Sequence, residues 1–211
     1  MSASVGIADT GPEQPKEFAF TPENLEKAKA VLAKYPDVRQ QSAVMPLLDL
    51  AQRQCGGWLP RVAMDVVADM LSMPRIKAYE VATFYSMYNL KPVGKHFVQV
   101  CTTTPCWLVG SENVVNACKK HLGIGLGETT ADGKFTLVEV ECLGACVNAP
   151  MAQINDDYYE DLTPENTVAL LQALADGKPV KVGSQTGRRG SQAASGPTSL
   201  HEFAKAAGVE S

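Results

Sequence analysis

Two close pairs of cysteines, Cys101-x4-Cys106 and Cys142-x3-Cys146, constrain this chain more than any other feature of its sequence. Residues 107–141 lie between the pairs, enough chain for a helix and a strand. Each pair follows a segment that reads as a strand, His96–Cys101 and Phe135–Val140. If the two strands are neighbours in one sheet, their ends converge and four thiolates meet at one edge. Four soft anionic sulfurs at one point select zinc or an iron–sulfur cluster. Zinc ribbons usually close a tight C-x2-C turn, whereas x4 and x3 spacings form wider loops that can enclose two irons. The spacing favours a [2Fe–2S] cluster and leaves structural zinc as the alternative. Thr102, Thr103, Thr104, Gly144 and Ala145 are small or hydroxyl-bearing, so backbone N–H groups can approach the sulfurs and tune the potential. Pro105 has no N–H and shapes the first loop.

The other two cysteines read differently. Cys118 shares an apolar helical face with Val114, Val115 and Leu122, which predicts a core thiol, and Cys55 lies at a helix end beside Gly56. Neither has a partner at ligand spacing. Six cysteines are too sparse here for a disulfide scaffold, which implies a reducing compartment. The net charge of −4 excludes the electrostatic footprint of a nucleic-acid binder. Apolar runs fall far short of the roughly 20 residues that cross a bilayer, so no direct membrane span is expected.

Residues 1–17 read as a flexible leader without the features of a secretory signal or an intact transit peptide; if an organelle imports the protein, its address has been removed. Residues 18–90 read as a helical module. Thr21-Pro22-Glu23 supplies a cap, a proline at the first helical position and an acid in the first turn. Val44, Leu47, Leu48 and Ala51 mark a second helix ending at Gly56-Gly57, Val62, Val66, Val67, Met70 and Leu71 a third, and Ser72-Met73-Pro74 opens a fourth reaching about Tyr85. The composition changes at Lys91-Pro-Val-Gly94, and residues 91–182 alternate strands and helices as a small α/β layer fold, with Thr163-Pro164-Glu165 capping the last helix. Residues 183–211 are rich in Gly, Ser and Ala without periodicity, and as an extended tail they are expected to order only against a partner surface. Within that tail Arg188 and Arg189 read as solvated linker charges or as anchors in an acidic groove of a partner.

Three segments together, Val100-Cys-Thr-Thr-Thr-Pro-Cys106, Val140-Glu-Cys-Leu-Gly-Ala-Cys-Val-Asn-Ala-Pro150 and Tyr79-Glu-Val-Ala-Thr-Phe-Tyr-Ser-Met-Tyr88, resemble the 24-kDa flavoprotein subunits of respiratory complex I, NADH:ubiquinone oxidoreductase. The resemblance runs from about Phe18 to Gly196. It implies a thioredoxin-like [2Fe–2S] ferredoxin domain preceded by an N-terminal helical bundle and followed by an extended tail. It also implies that Cys101, Cys106, Cys142 and Cys146 hold one [2Fe–2S] cluster, which exchanges single electrons with FMN on a partner NADH-binding flavoprotein subunit beside a neighbouring iron–sulfur subunit. In such a complex the chain is part of a proton-translocating enzyme and not a complete enzyme alone. Lys91-Pro-Val-Gly94 and the tail look more like mitochondrial members, which implies a peripheral place on the matrix side of the inner membrane; the bacterial counterpart would be the cytoplasmic face. NAD-linked hydrogenases and formate dehydrogenases use similar subunits. Thioredoxin-like domains often place a cis proline before a strand near the functional edge, and Pro150 occupies that place.

Other motifs carry less. Gly123-Ile-Gly125-Leu-Gly127 follows a helix instead of linking strand to helix, so it reads as a turn and not as a dinucleotide loop. With no Walker-type loop, FMN and NADH are expected on a partner and not on this chain. The sequence has no C-x-x-C, and His96, His121 and His201 lie away from the cysteine loops, which excludes thioredoxin-type and Rieske chemistry. No general acid, base or nucleophile is nominated.

Overall fold

The helical half is built from local signals. The Thr21 hydroxyl accepts a hydrogen bond from Asn24 N at 3.2 Å and Pro22 takes the first position of helix α1, Pro22–Leu32. The structure is a computed structural model that describes residues 12–190 and 199–208; residues 1–11 of the expected leader and 191–198 and 209–211 of the expected tail lie outside them. After a 3-10 segment at Asp37–Ala43 come α2 (Val44–Gln54), α3 (Arg61–Met70) and α4 (Arg75–Phe84). Leu47, Leu48, Leu59, Ala63 and Val67 are fully or almost fully buried among them. On α3 the buried face is centred on Ala63, Met64, Val67 and Ala68, with Leu71 just beyond, while Val62, Val66 and Met70 are only half-buried. The two small alanines let neighbouring helices approach closely, and the buried face turns from Val62 and Val66 toward Ala63 and Ala68 while keeping Val67. The Tyr79–Tyr88 stripe divides: Ala82 and Tyr88 are buried, whereas Phe84, Tyr85 and Met87 are exposed.

The described residues up to Lys95 belong to this helical unit, and those from His96 onward form a second compact unit. The second unit is a mixed sheet with strand order β2-β3-β1-β4-β5-β6. Its strands are β1 (His96–Cys101), β2 (Glu128–Thr129), β3 (Phe135–Val140), β4 (Ala152–Ile154), β5 (Asp157–Glu160) and β6 (Gly183–Ser184). Between β1 and β3 run α5 (Thr104–Leu108) and α6 (Ser111–Leu122), and α7 (Pro164–Ala175) follows β5. A parallel pair requires such a crossover. Val98, Val100, Val114, Cys118, Leu137 and Leu171 form the centre of this unit's core. A reciprocal capping box starts α7: Asn166 N donates to the Thr163 hydroxyl at 3.2 Å and Thr163 N donates to Asn166 Oδ1 at 2.7 Å.

Two features depart from the sequence reading. The residues after Cys101 do not form an open loop but wind into α5, with Pro105 in its first turn. The start of the tail does not wait for a partner: Gly183–Ser184 pairs in parallel with β5, and a short helix α8 forms at His201–Ala206.

Candidate metal centre

The parallel register of β1 and β3, with Cys101 opposite Val140, brings the C-terminal ends of both strands to one edge of the sheet. Cys101 N donates to Met151 O at 3.1 Å and Thr102 N donates to Val140 O at 3.2 Å, so the two cysteine segments leave the sheet side by side. From there the first segment turns into α5, which carries Cys106 inward. The second needs a sharper turn: Gly144 has φ +88°, a conformation that glycine adopts without strain, and Cys146–Asn148 closes as a 3-10 turn. The Ala149–Pro150 bond that follows is cis.

The four predicted sulfurs come together as two pairs in unequal surroundings. Cys101 and Cys106 are each 1% exposed and pack with Met151, Leu143 and Tyr158, whereas Cys142 and Cys146 are exposed. Cys142 Sγ and Cys146 Sγ lie 3.3 Å apart. Burial, and then the hydrogen bond it shares with Cys101, pushes the Cys106 thiol up to about 12, and it also feels Cys146. Cys146 is pushed up chiefly by its hydrogen bond with Cys142 and more weakly by burial and by the charges of Cys142 and Cys101. Gathering several thiolates at one point costs Coulomb repulsion, which bound metal cations offset. Among the described residues no group of three or more His, Cys, Asp or Glu side chains is arranged to hold a metal ion. Two pairs of thiols suit a group of two metals, and the all-sulfur donor set suits iron–sulfur chemistry.

Several side chains whose contacts the sequence does not reveal hold these loops. Thr103 Oγ1 donates to Glu141 Oε2 at 2.8 Å, tying the two cysteine segments together, so this hydroxyl points across the site and leaves α5 without a side-chain cap. Tyr158 OH donates to Leu143 O at 2.8 Å. Asn148, 2% exposed, donates from Nδ2 to Glu160 Oε2 at 2.8 Å, and its carbonyl accepts from Asp161 N at 2.7 Å. Arg188 is not simply a solvated linker charge: it donates to Asp161 Oδ1 and to Val147 O, each at 2.6 Å. These partners lie 12 to 41 residues away along the chain, and no spacing rule reveals them. The remaining cysteines stay away from the site. Cys118 is fully buried, and burial pushes it up to about 12; Cys55 is half-buried and shifted upward for the same reason. Trp107, Leu108 and Val109, after Cys106, and Val147, after Cys146, are exposed.

Residues 28–175 match the thioredoxin-like [2Fe–2S] ferredoxin family. Over 202 residues, 96% of this chain and 81% of the relative, the chain is 55% identical to the mitochondrial NADH dehydrogenase [ubiquinone] flavoprotein 2 of Dictyostelium discoideum. It is 63% identical over 159 residues, 75% of this chain and 95% of the relative, to a subunit of the NADH-quinone oxidoreductase of Rickettsia felis. Among solved structures, an NAD+-reducing [NiFe]-hydrogenase aligns with a TM-score of 0.55 at 22% identity, covering 63% of this chain and 23% of that longer one, a likeness of fold.

Proposed function

Because this chain belongs to the thioredoxin-like [2Fe–2S] ferredoxin family, we propose that Cys101, Cys106, Cys142 and Cys146 hold its one [2Fe–2S] cluster and that it is an electron-transfer subunit of NADH:ubiquinone oxidoreductase, respiratory complex I. The observation that carries the ligand assignment is the β1/β3 register, which delivers two pairs of thiols to one sheet edge. The bound cluster supplies one-electron chemistry that breaks no bond in the protein. What the chain contributes is position and environment. The buried pair, Cys101 and Cys106, fixes one side of the site within the domain, and the exposed pair, Cys142 and Cys146, leaves the other side open to a partner. Such a transfer needs no acid, base or nucleophile, and none is assigned.

The partners that fit this reading are a flavoprotein subunit carrying FMN and the NADH site, and a neighbouring iron–sulfur subunit. The place that fits is the matrix side of the mitochondrial inner membrane, held peripherally; the bacterial counterpart is the cytoplasmic face of the inner membrane. Among the described residues no helix is long and apolar enough to cross a membrane, which supports attachment through other subunits. The fold likeness to an NAD+-reducing hydrogenase supports a second reading, an equivalent subunit of an NAD-linked hydrogenase or formate dehydrogenase, but identities of 55% and 63% to NADH dehydrogenase subunits favour the first. A structural zinc module is the remaining alternative. Isolating the tagged full-length chain with its native partners separates them: the account expects NADH-driven reduction of a quinone and of the cluster signal. Hydrogen- or formate-driven reduction of NAD+ would favour the second reading, and a colourless, zinc-bearing assembly the third.

A further inference from the structure

The segment 183–190 touches the second cysteine loop through a chain of polar contacts. After β6, Ser184 Oγ donates to Asp161 Oδ2 at 2.6 Å and accepts from Thr186 N and Arg188 N at 3.3 and 2.9 Å, a turn that brings Arg188 back to the end of β5. The guanidinium donates to Asp161 Oδ1 from Nε at 3.1 Å and from Nη2 at 2.6 Å, and Nη2 also donates to Val147 O at 2.6 Å. Val147 directly follows Cys146. Gly190 passes over the neighbouring Asn148: a Cβ there would lie 3.7 Å from Nδ2 and 3.8 Å from Oδ1. The Asp161 side chain is only 10% exposed. Burial acts to raise its pKa, but the Arg188 and Ser184 hydrogen bonds outweigh burial and hold it below the usual carboxylate range. Asp161 is therefore a nearly buried carboxylate whose charge Arg188 compensates, and both sit against the turn that carries Cys146.

We propose that Arg188 is a positioning residue for the cluster, holding the Val147 carbonyl behind Cys146, and that its charge balance with Asp161 sets how readily the site accepts an electron. The inference rests on the four cysteines being the cluster's ligands. Reduction adds one negative charge to the site, so fixed charges nearby bias the equilibrium. Without Arg188, the Asp161 carboxylate stands uncompensated and the electron is accepted less readily. Without the Asp161 charge, the guanidinium stands uncompensated and the electron is accepted more readily. A brace that acted on shape alone would move both variants in the same direction.

The test is an EPR-monitored redox titration of the full-length chain, reconstituted anaerobically with iron and sulfide, as wild type, Arg188→Gln, Asp161→Asn and Arg189→Gln. Asp161 has φ +53°, which asparagine tolerates, so Asp161→Asn preserves the backbone. At one fixed potential the reduced-to-oxidised ratio is expected to fall about three- to tenfold in R188Q and to rise by a similar factor in D161N, tenfold being about 59 mV for one electron. The exposed Arg189, one residue along, loses the same charge in R189Q and is expected to keep the wild-type ratio. Should R188Q lose its cluster, D161N and Arg188→Lys carry the test, D161N above wild type and R188K within about twofold of it. Shifts of the same sign in R188Q and D161N, no shift in either, or a shift in R189Q as large as in R188Q overturn the proposal. A wild-type chain without a reducible cluster signal fails the ligand assignment instead, which keeps the two failures apart.

Discussion

The two units of this chain reach a stable fold by different routes. In the helical unit, α2, α3 and α4 bury residues spaced along each helix, such as Leu47, Leu48 and Ala51, and polar ties join α2 to the segment that follows α4. Gln52 donates from Nε2 to Met87 O at 3.0 Å while its Oε1 accepts from Asn89 N at 2.7 Å, contacts 35 and 37 residues along the chain. The sheet unit also buries an apolar core and is likewise tied by residues far apart in sequence, but its chemistry lies where β1 and β3 end, and its ties gather at that edge: Thr103 with Glu141, Tyr158 with Leu143, Arg188 with Asp161 and Val147. A core built on periodic burial tolerates the loss of one side chain at a finite cost. A four-thiol site assembled from strand ends does not, because each ligand is a separate bond to metal.

The sharpest way to break this contrast is Cys142→Ser. It is expected to abolish or nearly abolish the cluster's visible absorbance and acid-labile sulfide, while Cys118→Ser, in the core of the same unit, keeps them; equal loss in both variants would remove the distinction between ligand and core thiol. Truncating one core residue in each unit comes next. Leu137→Ala and Leu47→Ala, both fully buried, are each expected to cost about 2–5 kcal/mol in denaturant unfolding. Only the first is expected to shift the denaturant midpoint for cluster loss, and a matching shift from Leu47→Ala would contradict the division of labour. Smaller still, Thr21→Ala and Thr163→Ala each remove a helix cap, at about 0.5–2 kcal/mol. The reciprocal box at Thr163 predicts the larger of the two losses.

Acid gives the smallest effect and a definite sign. The Asp161 carboxylate is depressed in the fold, so its contribution to stability is fully present above the unfolded-state value of about 3.9 and is lost as pH falls through the lower folded value. Acid unfolding of the metal-free chain, followed by circular dichroism, is expected to show that loss in wild type and not in Asp161→Asn. The same pH dependence in both would mean that Asp161 is not the group responsible.

What the sequence makes legible is what is encoded locally. Thr21-Pro22-Glu23 and Thr163-Pro164-Glu165 announce helix starts because cap, proline and acid act within one turn. The two cysteine segments are visible as metal-binding candidates because each pair sits within a few residues just past a strand. Their meeting depends on β1 pairing in parallel with β3, which local propensity does not dictate but which a conditional reading of neighbouring strands anticipates. Helix α5 is hidden because Thr104-Pro-Cys-Trp-Leu108 has weak helix formers and only five residues. The strands β2 and β6 are two residues each, too short for any alternation to register. Arg188 looks like a linker charge because its partner Asp161 is 27 residues away and its carbonyl partner Val147 is 41 away, distances that only the fold closes.

The central claim meets its most direct test in low-temperature EPR of the dithionite-reduced full-length chain, with iron, sulfide and zinc determined on the same anaerobically prepared sample. The account predicts one spin per chain with iron and labile sulfide present in equal amounts, two of each. An EPR-silent, colourless protein carrying stoichiometric zinc after the same preparation would contradict it.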